Sequence, residues 1–388
     1  MTPERIMMRD TARQFVRDKV LPAANRLDPV KGDIPQELID EMGELGFFGI
    51  MIPEEYGGLG LGALEYCLVA EELARGWMSV ASIIARANGF YRAIPGKGDE
   101  RRRKIELMAK GKYLGASALS EPGTGSDLSN VQTRARREGD EWVITGNKYW
   151  CTFADGADLI QVLCRIDDPN APAGERPRTV LVPIEKPRGE LPKGVTGSPI
   201  PKIGYYGWRT WELRFDEVRA PIFEEDEKVG RGFEETAHGL GVARAHTAAR
   251  SIGLAQGALE DAMAYAKERV QFGQPISDFQ AIRFKIAQMA TKIEAARQLM
   301  HHVCVEVDAG RTSRAKISMV KLFAAEMAED VTSEGLQILG GAGYTTLHAM
   351  ERYWRDARLT KIFEGTSEIQ QRIIADQLLG KPTRRGSN

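Results

Sequence analysis

Cysteine, histidine and charge of one sign are all scarce in this chain. Its 388 residues include four cysteines (Cys67, Cys151, Cys164, Cys304), and none forms a CxxC pair. That argues against structural zinc and against a disulfide framework, and it fits a reducing, cytoplasmic setting. The five histidines are dispersed apart from His301-His302, which point to different faces of a helix, so no metal site is expected. Lys and Arg number 53 against 54 Asp and Glu, a formal net charge of −1. With no global field to gather nucleic acid or anionic lipid, neither is expected as a partner. No apolar run reaches the roughly 20 residues needed to cross a bilayer. The stretch Met1–Val20 mixes Arg and Lys with Glu4, Asp10 and Asp18, unlike a secretory signal or a transit peptide. No GxGxxG follows a strand pattern, so a Rossmann site is not supported.

What is present falls into three blocks. Residues 1–115 are helical in pattern, with Pro35 opening a helix over Glu37–Leu45 that Gly46 ends, a turn at Glu54–Gly58, and a long Ala- and Leu-rich stretch over Ala63–Ile94. Residues 116–228 shift to period two. Trp211, Leu213 and Phe215 alternate with Glu212, Arg214 and Asp216, and Val180, Val182 and Ile184 repeat the pattern. Leu159–Ile166 is a more continuous apolar strand, and Asp167–Arg178 reads as the loop after it. A small antiparallel sheet domain follows from this. Residues 229–388 return to helix. Phe279, Ile282, Ile286, Met289, Ile293, Ala296, Met300, Val303 and Val307 recur at alternating steps of three and four, as do Ile317, Val320, Ala324, Met327 and Val331. Such stripes build an antiparallel helix bundle. The tail Lys381–Asn388 has a disordered composition.

The junctions between elements carry the chemical signals. Leu119-Ser120-Glu121-Pro122-Gly123-Thr124-Gly125-Ser126-Asp127 is rich in small residues and hydroxyls that free backbone N–H groups for a ligand; a bare Gly/Ser turn is the plainer alternative. Lys148-Tyr149-Trp150-Cys151-Thr152 ends a strand, where Trp150 is either core or a wall for a flat ring, with Thr152 a donor beside it. Arg269-Val270-Gln271-Phe272-Gly273 ends a long helix, and Arg269 either complements the helix dipole or holds a phosphate. The glycines of Gln337–Gly343 fit a helix C-cap or a close approach of ligand to backbone. In Ile362–Ile369, Thr366 or Ser367 caps the next helix, and Glu364 sits between Phe363 and Gly365. A carboxylate there is ordinarily a solvated loop charge; in an apolar pocket it becomes a general base.

These pieces occur in a set order: EPGTGSD, KYWCT, ERVQFGQPISDFQ, LQILGGAGY, RDARL and FEGTSEIQ. Together they resemble the acyl-CoA dehydrogenase family over about Ile6 to Leu379. The resemblance implies an α+β fold: a helical N-terminal domain, a middle antiparallel β-domain and a C-terminal four-helix bundle. It implies a homotetramer with FAD in a cleft completed by a neighbouring subunit, and an electron-transferring flavoprotein as acceptor. On this mapping Leu119, Ser120 and Ser126 approach the flavin, Trp150 packs on the isoalloxazine, and Thr152 bonds near N5. Arg269, Gln271, Phe272, Gln280, Gln337 and Gly341 reach the partner's FAD, while Thr366 and Glu368 contact its diphosphate and adenosine side. Ser126 and Arg244 contact the CoA substrate, and Phe363 and Gly365 flank the reacting thioester.

Glu364 is then the base that removes the α-proton, while the β-hydrogen leaves as hydride to the flavin, giving the trans-2-enoyl-CoA. The Glu364 N–H and a flavin ribityl hydroxyl are the donors that the resemblance assigns to the thioester carbonyl. Relatives with the base on the bundle helix carry it just before the position of Arg244; Ala243 stands there and cannot serve, which excludes the isovaleryl- and long-chain-type arrangement.

The acyl pocket is expected from a helix over 78–94, from the region before Glu364 and from a helix starting near Gly241. Arg86 is the unusual residue: either it lies on a helix exterior, or it meets the distal carboxylate of a dicarboxylyl-CoA. His246 and Arg250 compete for that role, in a stretch faintly similar to relatives acting on substituted succinyl-CoA. The substrate is thus expected to be a short-chain, branched or dicarboxylic acyl-CoA. Tyr205–Arg209, bulkier and more basic than usual, either alters the CoA nucleotide site or is plain surface. Two other readings of the fold stand beside this one: a flavin oxidase, against which Glu364 argues, and a non-catalytic DNA-associated relative, against which the balanced charge argues.

Overall fold

A computed structural model of the chain describes residues 1–167, 178–223 and 232–382, with 233–240 described by backbone alone. Most of the loop expected over Asp167–Arg178, and all but two residues of the tail from Lys381, lie outside the described residues.

The N-terminal block contains α1 (Pro3–Phe15), α2 (Leu21–Leu27), α3 (Gln36–Glu44), α4 (Ala63–Gly76), α5 (Met78–Ile83), α6 (Ala85–Asn88) and α7 (Gly98–Ala109). The helix expected over 78–94 is broken into α5, α6 and a 3-10 turn at Tyr91–Ala93. The break has a visible cause. Asn88, buried, donates from its Nδ2 to Phe47 O at 2.9 Å and Ile84 O at 3.0 Å, and its Oδ1 accepts from Met51 N at 2.8 Å. A side chain that bonds to the backbone in this way competes with helix continuation.

The sheet comprises β1 (Gly115–Ala118), β2 (Arg134–Glu138), β3 (Glu141–Thr152), β4 (Leu159–Ile166), β5 (Thr179–Glu185), β6 (Val195–Pro199) and β7 (Thr210–Pro221). Four of its pairings are antiparallel, while β1–β4 and β2–β4 run parallel. The β3–β7 ladder slips between Lys148 and Cys151. At that irregularity Trp150 takes φ +62° and Phe153 takes φ +67°. Bulky residues rarely adopt this backbone, and such strain is typical of bulges that aim a side chain.

The C-terminal block contains α8 (Gly232–Glu268), a hairpin of β8 (Val270–Gln271) and β9 (Gln274–Pro275), α9 (Gln280–Asp308), α10 (Arg314–Leu339), α11 (Met350–Thr360) and α12 (Ser367–Leu379). The bundle helix α8 begins at Gly232, earlier than the start expected near Gly241. The predicted stripes bury Met289, Ile293, Ala296, Met300 and Val303 on α9, and Val320, Ala324, Met327 and Val331 on α10. Helix α8 lies between α4 and α10. A Cβ on Gly253 would overlap Glu71 O, and one on Gly257 would crowd Arg75 O. Glycine at these two positions lets α8 approach the α4 backbone closely, and this sets where the next α8 side chains toward the N-terminus, Arg250 and Thr247, emerge.

Candidate active site

Glu364 is built into place by its backbone. It adopts φ +54°, and Gly365 follows at φ +93°. The turn is held from beneath: Lys321 Nζ and Gln370 Nε2 donate to Gly365 O at 2.7 and 2.9 Å. Thr366, not Ser367, caps α12, its Oγ1 accepting from Ile369 N at 3.3 Å; Ser367 Oγ instead donates to Glu326 at 2.6 Å. A left-handed glutamate is a strained residue kept by its surroundings. The Glu364 N–H itself has no acceptor among the described residues.

The carboxylate is clamped from α8. Arg250 Nη2 donates to Glu364 Oε1 at 2.8 Å, and Thr247 Oγ1 donates to Oε2. Arg250 Nη2 also reaches Thr247 Oγ1 at 3.0 Å, and Nη1 reaches Ser82 Oγ at 2.7 Å. The Glu364 side chain remains 28% exposed while Arg250 is 2% exposed. Burial by itself would lower the Arg250 pKa, but Glu364 and Tyr205 outweigh it and hold the guanidinium charged. Of the candidates for an acyl carboxylate, Arg250 is therefore committed to Glu364. His246 drops out for another reason: it stacks on Tyr66 with centroids 4.6 Å apart, and its Nε2 lies 3.1 Å from Ala81 O. Burial, then Arg250, keeps its pKa well below 6.5, so the ring is neutral.

An aromatic wall runs from the base to Arg86. The Arg250 guanidinium lies 4.7 Å over the Phe363 ring, Phe363 meets Tyr205 edge-on at 5.9 Å, and Tyr205 meets Trp208 at 5.2 Å. The Arg86 guanidinium sits 5.2 Å over Trp208. Tyr205 and Trp208 are buried, Tyr206 is half-buried and Arg209 exposed, so the plain-surface expectation for this stretch is corrected at Tyr205 and Trp208. The cause is tertiary: Tyr205 N donates to buried Asp356 Oδ1 at 2.6 Å, and Lys202 Nζ donates to Tyr205 O and Trp208 O at 2.8 and 3.1 Å. Arg86 is half-buried rather than on a helix exterior; its Nε is buried without a hydrogen-bond partner. Burial lowers the pKa of Arg86, and likewise of Arg244, whose Nε is also buried and unpartnered.

The other sequence candidates fall into two groups. Around the β3 bulge, Ser120 O accepts from Tyr149 N at 2.8 Å and Leu119 O accepts from Lys148 Nζ at 2.9 Å. Thr152 Oγ1 lies 3.1 Å from Thr210 Oγ1. Trp150 is 57% exposed, and a Cβ on Gly123 or Gly125 would meet nothing within 4 Å; Ser126 is exposed. The second group, Arg269, Gln271, Phe272, Gln280, Gln337 and Gly341, is exposed around the β8–β9 hairpin and the end of α10. Phe272 is 94% exposed at φ +52°. Glu368 is exposed on the first turn of α12. None of these residues hydrogen-bonds to the Glu364 cluster. An open glycine turn, a strained exposed indole and an exposed hairpin with Arg269 at its base are suited to a large flat cofactor with phosphates. Among the described residues no cluster of His, Cys, Asp or Glu is suited to a metal, and no helix is long and apolar enough to cross a membrane.

The comparisons with known proteins agree over the whole length. Family models for the N-terminal, middle and C-terminal domains of acyl-CoA dehydrogenase match residues 2–112, 116–218 and 230–379. The chain belongs to the acyl-CoA dehydrogenase family. It is an oxidoreductase of this flavoprotein family, with the family's helical, β and helical domains in order. It is 37% identical to a probable acyl-CoA dehydrogenase, YngJ, of Bacillus subtilis, over 98% of this chain and 99% of the relative. It is also 37% identical to a (2S)-methylsuccinyl-CoA dehydrogenase of Cereibacter sphaeroides, over 96% of this chain and 69% of the relative. A glutaryl-CoA dehydrogenase of Mycobacterium smegmatis, solved with FADH2, superposes with a TM-score of 0.87 at 28% identity, covering 99% of this chain and 97% of the other.

Two members of the Glu364 cluster went unread in the sequence. Thr247 lies three residues before Arg250, on the same face of α8, so the pair was available as an i, i+3 signal. Lys321 lies four residues after Ile317 on the buried stripe of α10, where a lone charge signals a buried partner.

Proposed function

We propose that the chain catalyses FAD-dependent α,β-dehydrogenation of an acyl-CoA thioester, with Glu364 as the base and a short, branched or dicarboxylic acyl group as substrate. The observation that carries this is the Glu364 carboxylate itself, clamped by Arg250 and Thr247 yet open on one side beside an unpartnered backbone N–H. FAD, when bound, supplies the acceptor for the substrate's β-hydride.

Glu364 removes the α-proton. Its own N–H donates to the thioester carbonyl and stabilises the developing enolate, as an oxyanion hole does. Arg250 and Thr247 orient the carboxylate and restrict its rotation, so less is lost to orientation at the reacting step. Ala243 supports Glu364 as the base, because the family's other base position carries no carboxylate. Trp150, Thr152, Leu119, Ser120 and Ser126 would hold the flavin side of the cofactor. Arg269, Gln271, Phe272, Gln280, Gln337 and Gly341, exposed on one protomer, would hold the FAD of a neighbour in a homotetramer. Thr366 and Glu368 would border its diphosphate; Arg244 and Ser126 would hold CoA. An electron-transferring flavoprotein would take the electrons onward. The relative named for (2S)-methylsuccinyl-CoA supports the branched and dicarboxylic options.

The test is an anaerobic titration of the yellow holoprotein with a panel of acyl-CoA thioesters, following loss of the flavin band. Glu364→Gln should keep FAD bound and lose nearly all reduction. A colourless protein that cannot be loaded with FAD, or full reduction by Glu364→Gln, would overturn this reading.

A further inference from the structure

Resting on the proposed function, the charges around Glu364 do not balance. Arg86, Arg244, Arg250 and Lys321 all interact electrostatically with this single carboxylate. Arg250 alone forms an ion pair with it. Lys321 is pushed down to about 8 by burial, and its Nζ is satisfied by Gly365 O. Arg244 lies six residues before Arg250 on α8, about 9 Å along the helix axis toward its N-terminus, on the side the CoA arm would take. Arg86 remains.

Arg86 stands at the far end of the aromatic wall from Arg250, which covers Phe363 at the near end. It lies four residues beyond Ser82, whose Oγ receives Arg250 Nη1. Its guanidinium covers one face of Trp208, and no hydrogen bond or carboxylate partner engages it among the described residues. Stacking on an indole satisfies the π-face of a guanidinium but leaves its in-plane N–H donors unused. A half-buried cation with its Nε shut off from water gains when an anion meets it, and the planar fork is shaped for two oxygens of one carboxylate. A thioester reacting at Glu364, with CoA toward Arg244, would direct its acyl end along the Phe363–Tyr205–Trp208 wall to Arg86.

We propose that Arg86 is the specificity-determining residue for a second carboxylate at the far end of the acyl group, so that the enzyme's substrate is a short dicarboxylyl-CoA. Arg250, already occupied, positions Glu364 and does not read the acyl end. The second carboxylate is bound and passes unchanged into the enoyl product.

The experiment compares thioesters matched in length, glutaryl- with valeryl-CoA and succinyl- with butyryl-CoA, on the holoenzyme and on Arg86→Gln and Arg86→Lys. One carboxylate pairing of this kind is worth roughly 10- to 100-fold. Wild type should reduce its flavin with a kcat/KM higher by about that factor for the dicarboxylyl member of at least one pair. Arg86→Gln should erase the preference and Arg86→Lys restore part of it, with FAD content unchanged. Calorimetry on Glu364→Gln, which binds without turning over, should give the same preference in Kd. Equal use of both members of each pair by wild type, or a preference that survives Arg86→Gln, overturns the assignment of Arg86. If Arg86→Gln does not fold, Arg86→Lys decides: a reduced preference supports the assignment and an unchanged one overturns it. Failure of every thioester to bleach the flavin would instead overturn the dehydrogenase reading, and calorimetry of wild type against Arg86→Gln would still decide the role of Arg86.

Discussion

Two glutamate–cation pairs, a buried one in the sheet and a half-buried one in the bundle, look alike on paper and behave differently. In the sheet, Glu121 Oε1 accepts from Lys148 Nζ and Thr133 N at 2.8 Å each, and Oε2 accepts from Gln132 N at 2.6 Å. Lys148 Nζ also donates to Leu119 O, and the two side chains are 6% and 0% exposed. Burial would raise the Glu121 pKa, but Lys148 and the two backbone N–H groups more than offset it and hold the carboxyl below its usual value. Glu364 has a cation and a hydroxyl as partners but no backbone donor, keeps an open side, and sits on a left-handed backbone. A saturated pair pins two segments of chain together. An unsaturated one leaves a carboxylate able to accept a proton from something that arrives later.

The largest expected contrast comes from neutralising each glutamate's function in turn. Glu364→Gln should slow flavin reduction by about 10²–10⁴-fold, the range for losing a general base, with little change in Tm; stopped-flow and a thermal melt separate the two readouts. Lys148→Met should do the reverse. Leaving Glu121 buried without its cation should cost about 3–5 kcal/mol of stability, seen as a lower denaturant midpoint, while FAD-loaded molecules that remain folded keep their rate. A Lys148→Met protein as stable as wild type would remove the distinction between the pairs.

A smaller effect separates the bundle site from the sheet by pH. His246 is buried and neutral in the fold, with its pKa well below 6.5. Below about pH 6.5 the unfolded chain binds a proton there that the folded chain does not, so stability falls as the pH drops. The slope is at most about 1.4 kcal/mol per pH unit. His246→Gln should flatten this part of the pH–stability curve between pH 6.5 and 5, and an unchanged curve would show that the ring does not stay neutral. The smallest effect tests the turn beneath the base: Thr366→Ala, which removes the α12 cap, should cost about 1 kcal/mol, measured by denaturant unfolding.

Period and order were enough for the scaffold. The alternation of Trp211, Leu213 and Phe215 set β7, the three–four spacing from Phe279 to Val307 set α9, and the ordered motifs around Glu364 set the family, because these depend on neighbours in sequence. Arg86 could be singled out as odd but not placed. Its position over Trp208 depends on Asp356 drawing in Tyr205 and on Asn88 breaking the helix, contacts between residues far apart in the chain. The same holds for Arg250. The sequence presents it as a rival of Arg86 for an acyl carboxylate; only the close α4–α8 approach at Gly253 and Gly257, and the turn that brings Glu364 back from beyond α11, make it the partner of the base. Local pattern determined which elements exist and which family they form. Tertiary packing decided which charges meet and which are left without a partner, because electrostatic pairing depends on distance in space and on burial, neither of which a linear spacing contains.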